Sequence, residues 1–207
     1  KTYNLSFKKL EPSIKQVLTE KEFIAPTKFQ KQAISKIKSG VNLFGIGPEG
    51  CGKTTALIIG VIQKLKSAFE DAPRALIIVE NKEKALELES QFLPFLKPTD
   101  LRLYLAYDEQ RFDHQKDEIY DGVDIVIATP KRLTELFQRT GINVTQLQMY
   151  IIDDAEFLTR GTQLSLVNRI PESIPKCQYI MSSTLFHDKL ERLQDSFMFG
   201  AHLVTVK

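Results

Sequence analysis

Chemistry is concentrated in Gly47-Pro48-Glu49-Gly50-Cys51-Gly52-Lys53-Thr54, which follows the pattern G-x-x-x-x-G-K-[ST] directly after the apolar run Val41–Ile46. Glycines at these spacings let the backbone turn tightly, so that its N–H groups converge on phosphate oxygens, and a helix starting near Gly52 adds the positive end of its dipole. In that arrangement Lys53 reaches the β and γ phosphates and the Thr54 hydroxyl ligates magnesium. Glu49, Gly50, Cys51, Gly52 and Thr55 supply the rest of the loop's contacts. The alternative is a plain surface turn, and the strand before and helix after argue against it. A second cluster, Asp153-Asp154-Ala155-Glu156, follows the apolar run Tyr150-Ile151-Ile152. Alone it would read as a helix N-cap, because Asp accepts from free N–H groups there. Paired with Lys53 and Thr54, it fits the magnesium carboxylate and water-orienting acid of a phosphate-loop enzyme.

These groups need a scaffold that brings two strand ends together. Branched apolar runs recur at Val41–Ile46, Ala75–Val79, Leu101–Ala106, Val123–Ala128, Met149–Ile152, Tyr179–Met181 and His202–Val206. Between them, Lys53–Phe69, Lys82–Phe95, Pro130–Arg139 and Phe186–Phe197 have helical spacing. Strand alternating with helix predicts βαβ units, an α/β fold with a mostly parallel sheet, and helices on both faces. Ligands of such sheets gather at the carboxyl ends of the strands. Residues 1–40 precede the first strand and read as a helical cap belonging to the same domain, with Leu10, Ile14, Val17 and Leu18 at helical spacing and Pro26 breaking the run. Residues 41–207 form the nucleotide-binding core.

The 207 residues, 43% hydrophobic and 26% charged, suffice for a sizeable core in one domain. Their net charge of +2 gives no global basic field, so nucleic acid would have to be met by a local patch. No apolar run near the nucleotide site approaches the roughly 20 residues that span a bilayer, and the polar start Lys1-Thr2-Tyr3-Asn4 carries no secretory signal. Two cysteines, Cys51 and Cys177, make no disulfide or metal framework, and a reducing cytoplasm fits them. His114, His187 and His202 show no ligand spacing. The start without Met and the stop after an apolar run suggest an excised piece of a longer chain.

In this order the motifs resemble the first RecA-like domain of a DEAD-box RNA helicase. Phe23-Ile24-Ala25-Pro26-Thr27-Lys28-Phe29-Gln30 looks like that family's adenine-reading element. The resemblance implies that Gln30 hydrogen-bonds the adenine edge, that Phe23 packs on its face, and that Thr27 belongs to the same ATP site. Asp153-Asp154-Ala155-Glu156 aligns with the naming motif, Ser182-Ser183-Thr184 with the Ser-Ala-Thr element, and Ala128-Thr129-Pro130-Lys131-Arg132 with a strand-end Thr-Pro-Gly-Arg. Glu80-Asn81-Lys82-Glu83 aligns with Pro-Thr-Arg-Glu. The implied roles are catalysis by Lys53, Asp153 and Asp154, with magnesium held by Thr54 and, through water, by Asp153. Glu156, Ser182 and Thr184 would couple nucleotide state to domain closure. Asn81, Lys82, Thr129, Pro130, Lys131 and Arg132 would hold the RNA backbone without reading sequence. The partners implied are RNA and a second RecA-like domain beyond Lys207.

Several positions depart from that pattern. Asp154 stands where the family has glutamate, one methylene longer, and Glu156 where it has aspartate. Lys82 replaces arginine and loses its bidentate fork. Asp108-Glu109 stand in place of paired glycines, and two carboxylates there repel a phosphate. Slow hydrolysis by the isolated domain is therefore expected, with two alternatives to a helicase motor. One is a nucleotide-gated RNA clamp or assembly factor; the other is a different phosphate-loop NTPase, against which the element around Gln30 argues.

Overall fold

The computed structural model describes residues 7, 9–23, 25–174 and 177–207. The polar start Lys1–Asn4 and Ile24 of the adenine element lie outside them. Helices α1 (Pro12–Glu20) and α2 (Lys28–Lys38) lead into β1 (Leu43–Ile46) and α3 (Lys53–Leu65). There follow β2 (Ala75–Ile78), α4 (Lys82–Leu96), β3 (Leu103–Ala106), α5 (Phe112–Tyr120), β4 (Ile125–Ala128) and α6 (Pro130–Gln138). The chain continues with β5 (Met149–Ile152), a 3₁₀ turn (Ala155–Thr159), α7 (Gln163–Asn168), β6 (Gln178–Ser183), α8 (Asp188–Ser196) and β7 (His202–Thr205). All seven apolar runs are strands in one wholly parallel sheet of order β3-β4-β2-β5-β6-β1-β7; Met149–Ile152 keeps its bounds, Tyr179–Met181 lengthens to Gln178–Ser183, and the others are trimmed at their ends. Helices α5 and α7 had no counterpart in the sequence pattern.

A parallel sheet covered on both sides needs strands that are apolar on both faces, which is why Ala75–Ile78, Ile125–Ala128 and Met149–Ile152 are continuous rather than alternating runs. Alternate residues still part company. Ala75, Ile77, Ile125, Ile127, Met149 and Ile151 pack beneath α1–α4, whereas Leu76, Ile78, Val126, Ala128, Tyr150 and Ile152 pack beneath α5–α8. Leu10, Ile14, Val17 and Leu18 belong to the first of these cores, so the helical cap is built into the same apolar interior as the phosphate-loop helix. Phe92 and Phe95 face that interior as well, while Leu93 between them is exposed.

At the amino edge of the sheet one buried carboxylate ties three strands. The Asp124 Oδ1 atom accepts from Arg74 Nη2 at 2.6 Å and from the Phe69 N–H at 3.1 Å, while Oδ2 accepts from the Arg102 N–H and Nε, each at 3.0 Å. Burial pushes the Asp124 carboxyl up, but the bonds from Arg102, Arg74 and Phe69 outweigh it and hold it below the ordinary carboxylate value. A carboxyl whose pKa is depressed by folding adds stability above its unfolded value, and that stability is lost as pH falls through the folded one. Asp124→Ala, which leaves the buried Arg74 guanidinium without its counter-charge, is expected to cost about 3–5 kcal/mol in urea unfolding at pH 7. The deficit should narrow as the pH is lowered through the acid range; a difference independent of pH would exclude this account.

Candidate functional site

The end of β1 is fixed to β6 by the Gly47 N–H, which donates to the Ser183 carbonyl at 3.1 Å. The chain then turns through Gly50 and Gly52, at φ +76° and +97°, a left-handed region that side chains rarely adopt. At Gly52 a Cβ would also lie 2.4 Å from Gln30 Nε2. Gly52 is the N-cap of α3 and offers no side-chain oxygen to the first-turn N–H groups, which leaves these donors to an anion. Lys53 is buried, and its ammonium donates to the carbonyls of Gly47 at 2.6 Å and Pro48 at 3.1 Å, across the turn. Glu49, Gly50, Gly52, Lys53, Thr54 and Thr55 line one side of a cavity of about 390 Å³, and Lys84, Glu87, Gln91 and Asp154 line the other.

The segment that resembles the adenine element is pinned to this loop. Thr27 and Gln30 form a capping box at the start of α2: the Gln30 N–H donates to Thr27 Oγ1 at 3.1 Å, and the Thr27 N–H to Gln30 Oε1 at 3.0 Å. The Thr27 hydroxyl in turn donates to the Cys51 carbonyl at 2.8 Å. Gln30 is buried with its amide nitrogen against Gly52, while Phe23 is exposed on the segment before α2. The Cys51 sulfur packs toward Gly47.

Parallel register brings the acidic cluster alongside. Ile152 pairs with Met181, so Asp153 emerges from β5 next to Ser182 of β6, whose neighbour on β1 is Gly45. The Ser182 hydroxyl donates to Asp153 Oδ1 at 2.5 Å and accepts from the Asp154 N–H at 2.9 Å. Asp153 is 6% exposed. Burial lifts its carboxyl to about 6, and Asp154 pushes the same way, while Ser182 and Lys53 pull back. Asp154 stands in the left-handed region at φ +50°; burial and Glu156 raise its pKa against the pull of Lys53 and Lys84. Burial also acts upward on Glu156, but hydrogen bonds from Thr184 prevail and hold it below the ordinary value. The Glu156 carboxylate accepts from the Thr184 N–H, so the acidic cluster and the Ser-x-Thr element are joined at two points.

At the neighbouring strand ends the residues considered for RNA have different surroundings. Asn81 is exposed and caps α4, accepting from the Lys84 N–H at 3.0 Å, and the Lys82 ammonium lies 5.2 Å from the centre of the Tyr107 ring. Lys131 is exposed beside Pro130, which opens α6. Arg132 is buried: its Nη2 donates to the carbonyls of Asp108 and Gln110, each at 2.9 Å, and its Nη1 pairs with Glu135 at 3.3 Å. The Thr129 hydroxyl donates to Asp108 Oδ2 at 3.1 Å. Arg132 and Thr129 therefore hold the β3–α5 loop in place, and the Asp108 carboxylate occupies the Thr129 hydroxyl.

A sequence model of the DEAD/DEAH box helicase family matches residues 27–193, from the capping threonine of α2 into α8. The chain belongs to the DEAD/DEAH box helicase family. It is 30% identical over 200 residues to the pre-mRNA-processing ATP-dependent RNA helicase PRP5 of Meyerozyma guilliermondii, covering 91% of this chain and 23% of that protein. With the ATP-dependent RNA helicase RhlB of Vibrio cholerae it shares 27% identity over 186 residues, covering 85% of this chain and 42% of that one. The chain thus spans less than half the length of either relative. A DEAD box protein from the hyperthermophile Methanococcus jannaschii has the same fold, with a TM-score of 0.90 at 19% identity over all of this chain and 56% of its own.

Magnesium fits the donors present. Among the described residues no group of three or more His, Cys, Asp or Glu could cage an ion, and magnesium in nucleotide sites takes one or two carboxylates, phosphates and water rather than a full protein cage. Asp153 and Thr54 could hold such an ion, which there would neutralise phosphate charge. Sequence reading passed over Lys84, Glu87 and Gln91, although their i, i+3, i+7 spacing puts them on one face of α4. It also passed over Asp124, which has no motif around it.

The raised pKa makes ionised Asp153 a cost to the folded chain that appears as pH rises from the ordinary value through about 6. Asp153→Asn, which keeps an acceptor for Ser182, should therefore stabilise the nucleotide-free chain by about 1–3 kcal/mol at pH 7.5. The gain should vanish towards pH 4 in thermal melts; equal stability of the two proteins at pH 7.5 would refute it.

Proposed function

We propose that the chain is the nucleotide-binding N-terminal domain of an ATP-dependent RNA helicase, binding ATP with magnesium and contacting the RNA backbone. The observation that carries this reading is the meeting of the glycine turn, the Asp153 carboxylate and the adenine element through the bonds of Gly47, Thr27 and Ser182 at one edge of the sheet. The names of the relatives agree with it. Lys53 and the free N–H groups of α3 take the phosphates, Thr54 and Asp153 the metal, and Asp154 orients the attacking water. Gln30 and Phe23 read the base, Glu156, Ser182 and Thr184 transmit the nucleotide state, and Asn81, Lys82 and Lys131 meet RNA phosphates. A second RecA-like domain supplies the other wall of both sites, so the 207 residues alone bind nucleotide weakly and hydrolyse it very slowly.

A second reading, a nucleotide-gated RNA clamp, is favoured by one observation. The short Asp154 side chain, one methylene shorter than the family's glutamate, lies on the cavity wall with its carboxylate 3.9 Å from the Lys84 ammonium. A misplacement on the order of 1 Å costs about a hundredfold in rate. ATPase turnover of the longest native polypeptide, with and without single-stranded RNA and beside Lys53→Ala, separates the two. RNA-stimulated, Lys53-dependent turnover is expected of the helicase; ATP binding with turnover at the level of the control identifies the clamp.

The Asp108 carboxylate makes a further prediction about RNA. Asp108→Ser frees the Thr129 hydroxyl and removes one repelling charge, and should tighten single-stranded RNA binding several-fold, with log affinity falling more steeply with log salt. Unchanged affinity in a fluorescence-anisotropy titration would show that RNA does not approach Thr129.

A further inference from the structure

Lys84 is the one residue of the cavity wall opposite the glycine turn that carries a positive charge. It sits in the first turn of α4, three residues after the Asn81 cap that accepts from its N–H, and lines the cavity of about 390 Å³ together with Lys53, Thr54 and Asp154. The two lysines are held differently. The Lys53 ammonium is buried and fastened to two carbonyls. The Lys84 ammonium is half exposed, bonded to Glu87 Oε2 at 3.0 Å and only 3.9 Å from Asp154 Oδ2, beyond hydrogen-bond length. Exposed pairs of this kind are weak, so Lys84 is free to exchange partners. The same cavity wall carries the carboxylates of Glu87 and Asp154, with Asp153 close by. A terminal phosphate entering between these groups meets like charge unless a second cation compensates, and a compact ammonium on a flexible stem suits that task.

We infer that Lys84 reads the terminal phosphate: on triphosphate binding its ammonium leaves the side of Asp154 for a γ-phosphate oxygen, favouring ATP over ADP and freeing the Asp154 carboxylate for water. The inference rests on the nucleotide-binding reading above. Lys84 shares the first turn of α4 with Lys82 and with the Asn81 cap, so a shift of that turn moves all three.

The test is the affinity of the 207-residue chain for a magnesium complex of a non-hydrolysable ATP analogue and for ADP, by calorimetry, in wild type, Lys84→Met, Lys84→Arg and Lys53→Ala. Loss of a charged contact confined to the triphosphate predicts that Lys84→Met weakens the analogue about tenfold and ADP less than about twofold. Lys84→Arg should restore most of the preference, and Lys53→Ala should weaken both nucleotides. Parallel changes for the two ligands, or none, in Lys84→Met would overturn the role of Lys84 while leaving the nucleotide site standing. Failure of the wild-type chain to bind either ligand would remove both.

Discussion

The site hangs on a single hydroxyl. Ser182, at the end of β6, donates to the Asp153 carboxylate and accepts from the Asp154 N–H, so one side chain sets both the rotamer of the first carboxylate and the path of the backbone beyond it. Asp154 can then stand in the left-handed region, from which the 3₁₀ turn swings Glu156 back to the Thr184 N–H. None of this is possible unless β5, β6 and β1 keep their register, because a shift of one residue would turn Ser182 to the other face of the sheet. The apolar residues behind the site, Ile151 and Ile180 on one face and Ile152 and Met181 on the other, enforce that register by burial.

The two edges of the sheet treat carboxylates in opposite ways. At the amino edge Asp124 is surrounded by donors and its pKa is lowered, which adds stability at neutral pH. At the carboxyl edge Asp153 is also buried but has only the Ser182 hydroxyl, the Asp154 N–H and a more distant lysine to compensate it, and its pKa rises to about 6. Under-compensation of this kind is common at functional sites and arises in structural networks too.

The loops at the neighbouring strand ends depart from the pattern of the family in a consistent direction. Asp108 occupies the Thr129 hydroxyl, and Glu80 pairs with Arg160 beyond the 3₁₀ turn. Both replace what would be an open or neutral strand end with an internal acidic contact. Arg132, by contrast, is buried as a clamp on the carbonyls of Asp108 and Gln110, so its charge serves the loop more than the surface.

Sequence alone determined the elements that depend on local pattern. The strands show as continuous apolar runs because both sheet faces are covered, the phosphate loop shows because glycine spacing and a following helix are themselves the site, and the carboxylate cluster shows because it ends a buried strand. Helices α5 and α7 stayed hidden because they bury few side chains, chiefly Gln115 and Ile119 in one and Val167 in the other, leaving little apolar period to detect. Polar partnerships were decided only by the tertiary structure: Asp108 with Thr129, Arg132 with two carbonyls, Asp124 with two arginines, Lys84 with Asp154. The physical reason is that apolar burial is recorded residue by residue in the period of the chain. A charged group instead takes whichever partner the strand order β3-β4-β2-β5-β6-β1-β7 sets beside it, from positions that are distant in sequence.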